Sequence, residues 1–278
     1  MSQIECILKK YNPYIRDKIT NKFNYYNLNN VERIEDSHFY KNLVNEIIYF
    51  SDPTQFNDEN EFLFDFKYSD WNFKGHIKKE EFEKLKIKLI NILQKETKSK
   101  FGVFCLAPNN NDDYFWNNEK WYVKNYNGVC CEYDIEKIIM ENSTKIMFKS
   151  VVYCNEKVPY RPEYVSHYDQ NDEVIPKSIL KIFNSKPEEA KKAGILTMNL
   201  KPSVWSREQE QRMIILNSDH DGNVLCQRAI HAIPTKIFLG KNVAEKNVDI
   251  IIQLCKSKNI QLYKMRNDTL EFDLVQID

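Results

Sequence analysis

The sequence predicts an α+β protein: a central, largely antiparallel sheet flanked by helices in a single large domain. Three observations predict it. Short apolar runs of strand length recur along the chain and are separated by polar turns. Helical periodicity is clear at residues 80–98 and 243–258. The chain of 278 residues closes on two strand-like segments around an Asn-Asp turn, with no internal repeat and no long linker. This length, with 42% hydrophobic residues, suits one large domain with a packed core. The expected division is an N-terminal helical segment at 1–30 followed by the main α+β domain at 31–278.

In chain order, Ile4, Ile7, Leu8 and Tyr11 share a helical face, and Pro13 interrupts it. Residues 38–46 have helical spacing and lead into a short strand at 47–50, closed by the turn Ser51-Asp52-Pro53. In residues 80–98, Phe82, Leu85, Leu89, Ile92 and Leu93 repeat at helical intervals. Strands are expected at 101–107, 128–133 and 146–154, with a short helix at 135–140. Residues 176–194 have mixed helical character broken by Pro187. Residues 206–216 read as a strand with Glu208, Glu210 and Arg212 on one face and Met213 and Ile215 on the other. After the turn at 219–223, residues 224–231 are expected to return as its partner. A strand at 236–239, a helix at 243–258 and strands at 260–266 and 270–277 complete the chain.

Forty basic and forty acidic residues leave no net charge. Non-specific binding to nucleic acid or to a membrane surface needs a basic excess, so neither is the expected main task. No apolar run is long enough for a spanning helix, and the first residues lack the apolar stretch of a secretory signal. The seven cysteines are odd in number, show no C-x-x-C and lie partly within apolar runs such as FGVFCLA and GVCCEYD. Reduced, buried thiols in a cytoplasmic protein are therefore expected, without a structural zinc site.

Residues 49–61, YFSDPTQFNDENE, resemble the Y-F-S-x-P-x-x-F-N-D-P-F-E segment of the bacterial domain-of-unknown-function 2971 family. GVCCEYD at 128–134, KPSVWSREQEQRMI at 201–214 and the stretch 233–265 are similar to later blocks of that family. Glu59 and Asn60 replace its Pro-Phe pair, and Tyr126 stands where it commonly has His. That family label carries no activity, but the order Arg33, Tyr49-Phe50-Ser51, Glu208-x-Glu210 resembles the Arg … Ser … Glu-x-Glu order of ADP-ribosyltransferases. The resemblance implies a NAD-dependent transferase or NAD glycohydrolase in phage defence or acting as a toxin, with a protein or nucleic-acid acceptor. It implies that Arg33 holds the NAD phosphates and that Tyr49 and Ser51 steady the nicotinamide-ribose end. Glu210 would stabilise the cationic ribosyl centre, and Glu208 would orient or activate the acceptor. Asn57 and Asp58 would bind ligand hydroxyls from a loop beside the cleft.

Each feature has a plainer alternative. Glu208, Glu210 and Arg212 also fit a solvated strand edge, Arg33 a helix cap or a carboxylate partner, and Asn57 an Asx turn. A non-catalytic ligand- or protein-binding module is the second expectation, and a metal-dependent nuclease built on Asp58, Glu61, Glu208 and Glu210 the third. Asp219-His220-Asp221-Gly222-Asn223 lacks the ligand spacing of a calcium loop and reads as a hairpin turn.

Overall fold

The computed structural model describes residues 21–56, 64–65, 101–118, 122–142, 146–155, 158–159, 197–216 and 228–276, with helical positions also at 80, 83–84, 86–87, 90–91 and 95. The strands that frame the fold are β1 (Lys22–Asn27), β2 (Ile47–Tyr49), β3 (Phe101–Leu106), β4 (Gly128–Tyr133), β5 (Ile146–Ser150), β6 (Val152–Tyr153), β7 (Leu200–Lys201), β8 (Gln211–Leu216), β9 (Ala229–His231), β10 (Lys236–Leu239), β11 (Gln261–Met265) and β12 (Phe272–Leu274). The helices are α1 (His38–Val44), α2 (Asp113–Trp116), α3 (Ile135–Asn142) and α4 (Glu245–Lys258). The class is α+β, as the strand and helix patterning implied.

A five-stranded sheet runs in the order β1-β4-β10-β11-β12. Every pair is antiparallel except β10–β11, which are parallel. That parallel pair follows from α4, because parallel neighbours need a crossover connection and a helix supplies it. β4 lies inside the sheet, and all of its residues are buried. Its near-continuous apolar run, GVCCEY, follows from cover on both faces. Val129, Cys131 and Tyr133 join the main core, and Cys130 joins a second cluster with Trp116, Phe238 and Met265. α4 buries Val248, Ile251 and Cys255 against the main core. It ends at Asn259, which takes a left-handed conformation at φ 55°.

A second sheet places β8 between β3 and β5, antiparallel to both. Met213 and Ile215 enter the main core, and Ile214 enters a smaller cluster with Phe101, Val103 and Met198. Arg212 therefore shares a face with Ile214 and lies opposite Cys105 in the register. β3 also links the sheets. Phe23 bridges to Ala107, and Ser51 bridges to Val103 through backbone bonds of 2.9 and 3.1 Å. These bridges bring β1, the end of β2 and the second sheet around one hollow.

Several expected boundaries move. Residues 22–27 form β1, an edge strand of the main sheet paired with β4, instead of helix. Alternation explains it: Phe23 and Tyr25 pack on the aromatic cluster, and Tyr26 packs on the main core. Residues 1–20 lie outside the described residues. The strand expected over 206–216 begins only at Gln211, because Ser203–Glu208 forms a 3-10 helix. β9 pairs with β2 and not with β8. The run 146–154 is broken at Val151, whose N–H donates to the Glu210 carbonyl at 2.9 Å. The expected 176–194 helices and the 219–223 turn lie outside the described residues.

Candidate functional site

A cleft of about 500 Å³ opens where these elements meet. β1 contributes Asn24, Tyr25 and Tyr26, α1 contributes His38 and Asn42, and β3 contributes Phe104 and Cys105. Tyr49 and Ser51 come from the end of β2, and Gln55 and Phe56 from the turn that follows. Lys201, Trp205, Glu208, Glu210 and Arg212 complete the lining, with Tyr122.

The Ser51-Asp52-Pro53 turn is built locally. The Asp52 carboxylate accepts from the Thr54 N–H at 2.8 Å and from its hydroxyl at 2.6 Å, which opens a 3-10 turn over Pro53–Gln55. Arg228 holds the other Asp52 oxygen at 3.1 Å. The chain thereby turns back to place Gln55 and Phe56 on the cleft, and the Phe56 ring lies 5.8 Å from the Arg212 guanidinium carbon. Tyr49 is 47% exposed, so it stands at the open side.

The acidic tip is made by a reversal and not by strand alternation. Glu208 ends the 3-10 helix, Gln209 adopts a left-handed φ of 43°, and Glu210 then leads into β8. The Glu210 N–H donates to the Tyr153 hydroxyl at 2.8 Å, and its carbonyl receives Val151, so the backbone of this residue is held by β6 and its neighbour. Both carboxylates then turn toward Lys201. Its ammonium donates to Glu208 Oε2 at 2.5 Å and to Glu210 Oε2 at 3.0 Å. Arg212 grips Glu210 in a forked contact, Nε to Oε1 at 2.6 Å and Nη2 to Oε2 at 3.1 Å. Its Nη1 donates to the Met198 carbonyl at 2.6 Å.

These groups are removed from bulk water: Glu208 is 2% exposed, Glu210 4% and Arg212 0%. Burial pushes the Glu210 carboxyl up, but the Arg212 guanidinium and the Lys201 ammonium outweigh it and hold the group at about 2. Burial also pushes Glu208 up. Lys201 pulls it back only in part, the Glu210 charge adds to the rise, and the net direction is upward. Two acids separated by one residue are thus driven apart, one held down as an anion and the other pushed up. Tyr114 and Tyr122 stand beside Glu208, and burial followed by its charge pushes both phenols up. Cys105 is likewise pushed well up by burial and then by Glu210, so its thiol is not activated.

Of the residues singled out from sequence, Tyr49, Ser51, Glu208 and Glu210 line this one cleft. Arg33 does not line it. Its side chain is 71% exposed and lies 3.7 Å from Glu35, so the expected phosphate clamp is absent from the cleft wall. Asn57 and Asp58 lie outside the described residues. The expectation of a solvated Glu-x-Glu edge is overturned, since the pair and Arg212 are buried and mutually bonded. Lys201, Trp205 and Cys105 are cleft residues that the sequence does not single out, whereas Tyr122 belongs to an aromatic cluster whose expected place is the core or a cleft wall. A usable signal was present in 201–212, where two acids sit between a lysine and an arginine around a tryptophan. Among the described residues no group of three or more His, Cys, Asp or Glu is placed to hold a metal ion. No helix among them is long and apolar enough to cross a membrane.

No family model, no curated protein and no solved structure matches this chain.

Proposed function

We propose that this cleft breaks an N-glycosidic bond at ribose, with NAD as the substrate, passing the ADP-ribosyl group to water or to a protein or nucleic-acid acceptor. The observation that carries the proposal is the meeting of Glu208, whose carboxyl burial pushes up, and Glu210, held down against burial by Arg212 and Lys201, with Ser51 and Tyr49 in the lining of one cleft. The resemblance of Tyr49-Phe50-Ser51 and Glu208-x-Glu210 to the motif order of ADP-ribosyltransferases agrees with it, without Arg33.

In this reaction the bond between the ribose anomeric carbon and the pyridinium nitrogen breaks. Its electron pair leaves with neutral nicotinamide, and positive charge develops on the ribosyl centre. Glu210, held anionic and fixed in orientation by Arg212, accepts a hydrogen bond from the ribose 2′-hydroxyl and faces that charge. Glu208, whose carboxyl is pushed up by burial, takes the proton from the attacking hydroxyl as its oxygen bonds to the anomeric carbon. Ser51 and Tyr49 position the nicotinamide-ribose end. The proposal gives Arg33 no role.

Release of nicotinamide from NAD by the purified protein is the test. Glu210→Gln is expected to lower it by roughly 10²–10³-fold, the scale of losing one preorganised electrostatic contact. No turnover together with no NAD-dependent thermal shift removes the proposal.

A second reading, a non-catalytic ligand-binding module in a defence setting, is favoured by a different observation: Lys201 and Arg212 already neutralise both acids. A thermal shift with NAD or a nucleoside, without product, would select it.

A further inference from the structure

We infer that Lys201 is a positioning residue: its ammonium ties Glu208 to Glu210 and fixes the separation and orientation at which the two carboxylates face the cleft. Its importance for the reaction rests on the N-glycoside reading above, whereas its geometric role does not.

The two acids need an external tie because no regular element spaces them. One ends a 3-10 helix and the other precedes a strand, with left-handed Gln209 between them. Among the described residues, the carboxylate contacts of Arg212 go to Glu210. Among the described residues, Lys201 is the cation that forms an ion pair with Glu208, and it reaches Glu210 as well. A point-charge ammonium with several donors suits this task, because it can serve two carboxylates from different elements at once.

Lys201 is itself placed by the fold. β7 runs parallel to β6, which sets Lys201 beside Tyr153, and Tyr153 holds the Glu210 backbone. The Trp205 ring lies 5.4 Å from the ammonium, an aromatic face that favours the cation. The lysine side chain is 10% exposed, so water competes little for these bonds.

The groups that face Glu208 are Lys201, Glu210, Tyr114, Tyr122 and Tyr153, and Lys201 supplies the contact that favours its ionised form most. Without Lys201, burial and the Glu210 charge act on Glu208 with less opposition. Its carboxyl then titrates at higher pH, and the two acids lose their common anchor.

The experiment is carbon-13 NMR of the glutamate side-chain carboxyls against pH in the full-length chain, for wild type, Lys201→Met and Lys201→Arg. Lys201→Met is expected to raise the Glu208 proton affinity at least tenfold, and Lys201→Arg to restore it most of the way. Where turnover of NAD is present, the acid limb of kcat/KM should move upward by the same factor. Nicotinamide release missing in wild type sinks the N-glycoside reading alone, while the NMR arm still judges Lys201. A Glu208 midpoint unchanged in a folded Lys201→Met overturns the positioning role. Should Lys201→Met not fold, the wild-type lysine ammonium decides the matter. Through-hydrogen-bond couplings from its nitrogen to two carboxyl carbons support the tie, and coupling to one or none overturns it.

Discussion

Arg212 shows how one buried residue can be worth more than its charge. Its guanidinium is fully enclosed, forked onto Glu210 and bonded to the Met198 carbonyl. Removing one member of such a pair leaves the other charge buried with less compensation. Arg212→Met is therefore expected to cost about 3–5 kcal/mol in chemical denaturation. The same charges give stability a pH dependence. Folding lowers the Glu210 pKa from 4.5 to about 2, so the folded state releases that proton more readily than the unfolded one. The resulting stabilisation is complete above the unfolded value and disappears as pH falls through the folded one. Glu208 acts in the opposite sense: its raised pKa makes its ionisation costly, and that cost accumulates as pH rises from the unfolded value through the raised folded one. Denaturation curves across acidic pH should show Glu210→Gln flattening the low-pH decline and Glu208→Gln easing the loss at higher pH. A decline unaltered by either change would refute this assignment.

The 3-10 helix, left-handed residue and strand that make up residues 203–216 set the acid pair more than any single side chain does. A φ of 43° at Gln209 is a conformation that a β-branched residue reaches only with strain. Gln209→Val is expected to lose roughly 1–2 kcal/mol relative to Gln209→Gly, since only the branched side chain meets that steric penalty. Equal melting temperatures for the two variants would show that the reversal is not required. At this scale sequence patterning went wrong in an instructive way. Glu208, Glu210 and Arg212 alternate as in a strand, so the pattern predicts a strand over 206–216 with all three on one face. Alternation reports which residues share a side only where the backbone is extended. Pro202 and the turn-forming Ser203 begin a 3-10 helix before the extended stretch starts. Similarly, β1 was read as part of a helical segment. Its aromatic alternation in KFNYYN serves two clusters on opposite faces, and that becomes visible only beside β4.

For the molecule as a whole, the cores and the cleft are arranged by two sheets joined at narrow bridges, Phe23 to Ala107 and Ser51 to Val103. The described cysteines Cys105, Cys130, Cys131, Cys154 and Cys255 are all free thiols, and none contributes a cross-link. Melting temperatures with and without reductant should coincide in differential scanning calorimetry. A fall on reduction would reveal a cross-link between chain segments. Tyr49, Ser51, Glu208 and Glu210 were legible as a group through their motif order, and one cleft contains all four. Arg33 was drawn into that group by order alone, and its exposed side chain stands outside the cleft.

By itself the amino-acid sequence determined the class of fold and most strand positions, and motif order singled out Tyr49, Ser51, Glu208 and Glu210, which line the cleft among others. Periodicity and turn chemistry are local properties that a linear chain carries openly. Only the tertiary structure decided which cations meet those acids. Arg33 was excluded, Arg212 was turned inward and Lys201 was brought between the carboxylates. Burial and ion pairing depend on which distant segments enclose a side chain, and the spacing of residues along the chain does not encode that.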